Sequence, residues 1–171
     1  MPCDASRETL SQTSVVDSMI VGAPYNVFSW NYYLKGEGHE AYWDQKWTSE
    51  QCSILIDEEY FEVKKHGAWS GSWSLKRGES VYCTAQKTSA WKRSVDIDSP
   101  MGTLHLASNS AFRRSFFIAL DGKVIATIDP RRILSWHAEL DILVEEYDFP
   151  TLAFAFWLVI LLWRRGEGSG S

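Results

Sequence analysis

Residues 151–165 read TLAFAFWLVILLWRR, and residues 152–163 within them are twelve consecutive apolar side chains closed by Arg164 and Arg165. Such a run is either a membrane anchor or the centre of a fold. Twelve helical residues span roughly 18 Å, well short of the ~30 Å hydrocarbon core of a bilayer. The flanks suit a helix held in protein. Asp148 or Thr151 can cap the start, Pro150 is tolerated in the first turn, Arg164 and Arg165 complement the C-terminal dipole, and Gly166 can terminate. The helix is apolar on every side, so packing on a single sheet would leave Phe, Trp or Leu in water. Phe154, Trp157, Leu158 and Leu161 are therefore expected core positions, and something must surround them. Burying about ten large apolar side chains is worth on the order of 15–30 kcal/mol gross. The helix is expected to hold the domain together.

Upstream of this run the dominant period is two. Trp69, Gly71, Trp73 and Leu75 alternate with serines, and Val81, Cys83 and Ala85 alternate with Tyr82, Thr84 and Gln86. Val95 and Ile97, Leu104 and Leu106, then Phe116, Ile118 and Leu120 continue the pattern. Alternation of this kind predicts half-buried antiparallel strands. Asp121-Gly122, between RSFFIAL and KVIATID, is a strong hairpin signal. Turns are also expected at Ser99-Pro100, Asp129-Pro130, Arg77-Gly78-Glu79 and the glycines at 36 and 38. Residues 133–146 fit a helix through Ile133, Trp136, Leu140 and Val144, but they alternate without a fault from Trp136 to Val144 and read better as one long strand. About nine strands are expected between Cys52 and Glu146, with two or three more in VVDSMIV and YNVFSWNYYL. The predicted fold is mainly β: a closed antiparallel barrel of about twelve strands enclosing the C-terminal helix, because such a can is wide enough to hold one. The predicted organisation is a polar tail over 1–14, the barrel over 15–165 with its central helix at 151–165, and a flexible, tag-like tail over 166–171.

Nine Trp, seven Tyr and eight Phe in 171 residues favour strands and a large core over disorder. A net charge of −5 argues against a general nucleic-acid binder. Cys3, Cys52 and Cys83 are odd in number and widely spaced, which suits free thiols in a reducing compartment. With no apolar run at the start of the chain, the expected location is cytoplasmic, with peripheral membrane contact.

Enzyme signatures fail on inspection. His39-Glu40 begins like HExxH, but Trp43 stands where the second histidine is needed. His66, His105 and His137 are scattered and read as structural. Gly36, Gly38 and Ala41 fit G-x-G-x-x-A outside any βαβ context. Asp96 and Asp98 fit a hairpin end better than a metal pair. The chain is expected to be non-catalytic, without metal or cofactor.

Strand order, the Asp121-Gly122 hairpin and the terminal apolar helix together resemble the tubby-like fold. That group includes tubby C-terminal domains, phospholipid scramblases and LURP-one-related proteins. The likeness runs over roughly residues 68–165, through WSLKRGESVYCTAQKTSAWKRSVDI, GTLHLASNSAFRRSFFIALDGKVIATIDP and LAFAFWLVILLWRR. It implies a non-enzymatic barrel, with phosphoinositide binding through basic wall residues in tubby domains and lipid movement with calcium in scramblases. The scramblase cysteine cluster and proline-rich segment are absent from this sequence. Glu139, Asp141, Glu145, Glu146 and Asp148 lie where scramblases carry a proposed calcium segment, but lack the spacing of a calcium loop and read as a solvated face.

Twelve of the seventeen basic residues form adjacent pairs: Lys64-Lys65, Lys76-Arg77, Lys92-Arg93, Arg113-Arg114, Arg131-Arg132 and Arg164-Arg165. Neighbours on a strand point to opposite faces, so such pairs belong on barrel rims. One reading is edge solubility. The other is a rim that meets anionic headgroups through Lys92, Arg93, Arg113, Arg114, Arg131 and Arg132. The leading expectation is a binding module for an anionic phospholipid or a protein partner. The alternatives are a scramblase-like protein held in a membrane by its helix, and an enzyme or small-ligand carrier with a pocket in the barrel mouth.

Overall fold

A computed structural model describes residues 18–25, 31–45, 50–67, 70–89, 93–108, 114–131 and 136–167. Expectations placed on Cys3, Trp69, Lys92, Arg113, Arg132, Ile133, the tail at 1–14 and residues 168–171 fall outside these residues; Gly166 and Glu167, expected in a flexible tail, lie in the helix. The first six strands are β1 (Ser18–Pro24), β2 (Tyr32–Gly36), β3 (His39–Gln45), β4 (Cys52–Ile56), β5 (Glu59–His66) and β6 (Ser72–Arg77). The next six are β7 (Ser80–Lys87), β8 (Ser94–Ser99), β9 (Gly102–Ser108), β10 (Phe116–Leu120), β11 (Lys123–Pro130) and β12 (Ala138–Ile142). The last element among the described residues is a helix, α1 (Phe149–Glu167). Each strand pairs antiparallel with its neighbours in sequence, and β1 closes the sheet on β12 with Ile20 opposite Leu140. The result is a closed twelve-stranded barrel, as the alternation predicted.

Period two decides which way each side chain faces. Ile54, Ile56, Phe61, Val63, Trp73, Leu75, Ile97, Leu104, Leu106 and Leu140 point inward and are buried. Outward positions on the same strands are polar: Glu62 and Lys64 on β5, Thr84 and Gln86 on β7, Thr103 and His105 on β9. A membrane-spanning barrel turns its apolar band outward. This one turns it inward, onto α1.

Residues 151–163 of the helix are all buried. Phe154 and Leu158 are wholly inaccessible, and Trp157 and Leu161 are 5% and 8% exposed. At 19 residues α1 is roughly 28 Å long, enough by length and composition to cross a membrane. The sequence-based length argument therefore understated the helix by two residues at each end, and it is the burial of those side chains that gives them their surroundings. Asp148 caps the start: its Oδ2 accepts from the Thr151 amide at 3.0 Å and from the Thr151 hydroxyl. One close approach depends on a missing side chain. A Cβ at Gly22 on β1 would run into the ring of Phe156.

Four expectations need correcting. The long strand over 133–146 is real as a strand but short: β12 covers only Ala138–Ile142, because Leu143 onward turns toward the helix start. Asp129-Pro130 ends β11, paired with Glu139 and Ala138, and the chain leaves the sheet at Arg131. Val81 does not share the inner face with Cys83. A bulge opposite Leu75 and Lys76 inserts Tyr82 as an extra residue, leaving Val81 58% exposed. Tyr82 is thereby turned toward the helix cap, where its hydroxyl donates to Asp148 Oδ1 at 2.7 Å. The fourth is the stop at Gly166, since α1 runs on through it to Glu167. A tight turn that no glycine signals forms at Asp57-Glu58. Both residues have positive φ (46° and 70°). Asp57 offsets the strain by accepting the Glu40 amide at 2.9 Å and pairing with His39 at 2.6 Å.

Enclosure makes a direct prediction. Leu158→Ala should lower stability by about 2–5 kcal/mol in urea unfolding, and Leu158→Asp should give no soluble folded protein. An unchanged unfolding midpoint in either variant would contradict a helix packed on all sides.

Candidate functional site

Alternating strand direction gives the barrel two unlike ends. At the end where α1 begins lie the turns at Glu37-Gly38, Asp57-Glu58, Gly78-Glu79 and Asp121-Gly122, followed by Glu145, Glu146 and Asp148. That end is acidic. At the end where α1 finishes lie Lys65, Lys87, Arg93, Arg114, Arg131, Arg164 and Arg165, together with the carboxylates Asp44, Glu50, Asp129 and Glu139. Among the described residues the doublets Lys64-Lys65 and Arg164-Arg165 lie at this end with Arg93, Arg114 and Arg131, and Lys76-Arg77 lies at the other.

The basic end is built around aromatic rings. Trp136 carries the guanidinium of Arg114 at 4.9 Å from its ring centre and that of Arg164 at 5.3 Å. Arg114 also lies 4.5 Å from the Trp163 ring, and Arg164 lies 5.6 Å from that of Tyr32. Cation–π contact of this kind fixes a guanidinium plane without neutralising its charge. Backbone contacts hold the rings. Trp163 Nε1 donates to the Arg114 carbonyl at 2.8 Å, and the Tyr32 hydroxyl donates to the Trp136 carbonyl at 3.0 Å. Arg93 packs closely on Gly166, and Arg131 pairs with Glu139 at 3.1 Å.

Arg165 is bound differently. Its Nε donates to Glu50 Oε1 at 2.9 Å while Nη2 reaches both carboxylate oxygens, and Lys65 joins the same carboxylate at 2.8 Å. Partial burial by itself raises the Glu50 pKa. Hydrogen bonds and charge from Arg165 and Lys65 outweigh it and hold the carboxyl below its ordinary range. This triad ties the helix end to the β3–β4 connection.

Of the residues expected to meet lipid, Arg93, Arg114 and Arg131 are placed at this one end; Lys92, Arg113 and Arg132 lie outside the described residues. Sequence reading took Arg164 and Arg165 as dipole partners and as one of the rim doublets but left them out of the lipid-binding set, and it overlooked Trp136, Trp163 and Tyr32 as ring supports. The available signal was at Trp163, which directly precedes Arg164-Arg165; Tyr32 and Trp136 have no adjacent Lys or Arg to mark them. Beside the array a cleft runs between α1 and the β2–β3 wall, lined by Tyr32, Trp43, Gln45, Phe156, Trp157, Ile160, Leu161 and Arg164.

The remaining candidates for chemistry are tied into structure. His66 contacts Ser74 at 2.8 Å, and His105 pairs with Asp96 at 2.7 Å. Cys52 and Cys83 are buried free thiols. Burial pushes both pKa values up, that of Cys83 to about 12, and Cys83 lies 3.3 Å from the Thr151 hydroxyl. Among the described residues no group of three His, Cys, Asp or Glu could hold a metal. Comparison of the chain with family models, with curated proteins and with solved structures finds no match.

The depressed Glu50 carboxyl predicts a pH dependence. A lowered folded pKa stabilises the protein above the unfolded value, and that stability is lost as pH falls through the folded value. Glu50→Gln should be less stable than wild type at neutral pH, and the gap should close below about pH 4. Urea unfolding across pH measures it, and a gap independent of pH would contradict the triad.

Proposed function

We propose that the chain is a non-catalytic binding module of tubby-like type whose basic end meets the anionic headgroups of a phospholipid surface. The observation that carries this reading is the gathering of Arg93, Arg114, Arg131, Arg164 and Arg165 at one end of the barrel, with acidic turns at the other. Such polarity orients the barrel end-on to a negative surface, since the acidic end is repelled. Guanidiniums already fixed on rings lose less freedom on meeting a phosphate than solvated ones would. Contact of this kind is peripheral, with the helix remaining inside its barrel, and suits a cytoplasmic protein. A protein partner with a phosphorylated or acidic face is the variant of this reading that the lipid experiment separates.

Purified protein should sediment with vesicles containing phosphatidylserine or a phosphoinositide at low salt and be released as salt rises, because screening acts within about 8–10 Å at physiological strength. Arg131→Ala with Arg132→Ala should weaken binding at unchanged melting temperature, while Lys76→Ala with Arg77→Ala, at the opposite end, should not. Equal binding to vesicles of phosphatidylcholine alone would contradict the headgroup reading. Equal losses from both double variants would show diffuse attraction in place of an oriented end. Absence of binding at low salt would remove the lipid and leave the protein partner.

A further inference from the structure

The outer wall of the barrel has two unlike sides. Cross-strand register sets Tyr33, Tyr42, Leu55 and Tyr60 opposite one another on β2, β3, β4 and β5, each on the outward face. Strands lie about 4.8 Å apart, so the row is roughly 14 Å wide. Tyr60 is 74% exposed and Tyr42 37%, while Tyr33 and Leu55 are half-buried. The far wall obeys the same alternation with different residues. There Ser74, Thr84, Asp98 and Thr103 form one outward row across β6 to β9, and Ser72, Gln86, Asp96 and His105 form the next. Neither row holds a large apolar side chain. Cross-strand aromatic pairs steady a sheet, but that does not call for a row four strands wide ending on a ring left mostly in water. Single exposed apolar residues are ordinary; a contiguous run of them marks a contact surface, and tyrosine is enriched in such surfaces.

Charge selects the occupant. Toward the basic end of the barrel the row is bordered by Asp44 and Glu62, which face each other across Ser53. Toward the acidic end it meets Glu40 and the turn at Asp57-Glu58. Lys35 reaches Glu40 at 3.5 Å and Lys64 reaches Glu62 at 3.5 Å. Carboxylates therefore outnumber ammonium groups, and the border is net negative. Such a border repels an anionic headgroup and attracts a cation, and a cation that reaches the row meets the faces of exposed tyrosine rings.

We propose that the outer wall over β2 to β5 is a docking surface for a Lys- and Arg-rich segment of a partner protein that carries apolar side chains between its charges. The apolar side chains lie on Leu55 and the tyrosine rings, and the cations reach the bordering carboxylates. This surface is independent of the headgroup reading. Arg93, Arg114 and Arg131 do not border it, and a basic segment is repelled from the end that holds them. A barrel set end-on to a membrane keeps this wall exposed.

The test maps amide shifts in nuclear magnetic resonance spectra of the whole chain. The probe is the amidated peptide RLRSRLRSRLRS, compared with the charge-reversed ELESELESELES and with RSRSRSRSRSRS, which lacks leucine. The first should shift amides of β3, β4 and β5 to saturation and leave those of β8 and β9 in place. The leucine-free peptide should bind about tenfold or more weakly, as expected for lost apolar burial, and the acidic peptide should give no shift. Tyr42→Ser with Tyr60→Ser should weaken binding by about tenfold or more at an unchanged melting temperature. Asp44→Asn with Glu62→Gln should weaken it roughly fivefold, while the charge-matched Asp96→Asn with Asp98→Asn on the far wall should leave it unchanged. No shift with the basic peptide, shifts spread over β8 and β9, or equal losses from the two acidic pairs would overturn the proposal. So would sedimentation showing that wild type self-associates through the tyrosine row, since the occupant would then be a second copy. The wild-type peptide series and its shift map decide the matter if the tyrosine variant fails to fold.

Discussion

A helix that is apolar around its whole circumference tolerates no open side, and the other features of the barrel follow from that constraint. β1 must find β12, because an unclosed seam would wet one face of α1. Large rings on the helix demand small partners on the wall, met where Gly22 receives Phe156 and where Ala41, Ala85, Ala126 and Ala138 face inward. The bulge that turns Tyr82 toward Asp148 serves the same helix, since it supports the cap at the end where the Thr151 amide would otherwise lack an acceptor. Wall and helix form a single core, and neither has an obvious stable form without the other.

Enclosure also orders the charges. In a low-dielectric interior a helix dipole is weakly screened, so its ends act on their surroundings more strongly than those of a surface helix. The positive end of α1 lies beside Asp148 and the acidic turns; the negative end lies beside Arg164, Arg165 and the basic connections. This compensation accounts for the sign of the charge at each end. It does not require guanidiniums stacked on Trp136 and Trp163, and that arrangement is the feature of the basic end that the dipole leaves unexplained.

Much of this architecture is legible in the sequence because it rests on local patterns. Alternation in residues such as Leu104 and Leu106 reports burial on one face, and Asp121-Gly122 reports its own turn. The helix is legible as enclosed because its composition leaves no face for solvent. What is not legible depends on partners far along the chain. The Tyr82 bulge is set by the register of β6 against β7, and its effect on Val81 is invisible in VYCTAQK. Asp57-Glu58 turns without glycine because His39 and Glu40, on another hairpin, supply its contacts. The Arg114–Trp136–Arg164 stack joins three separate segments.

Amide hydrogen exchange tests the enclosure most directly. If α1 is the shared core, amides in residues 153–163 exchange only through global unfolding, with a free energy equal to that from denaturant titration and no lower than that of the central strands. Exchange of these amides ahead of those in β6 and β9, or at an unfolding free energy well below the global one, would contradict a helix held inside a closed barrel.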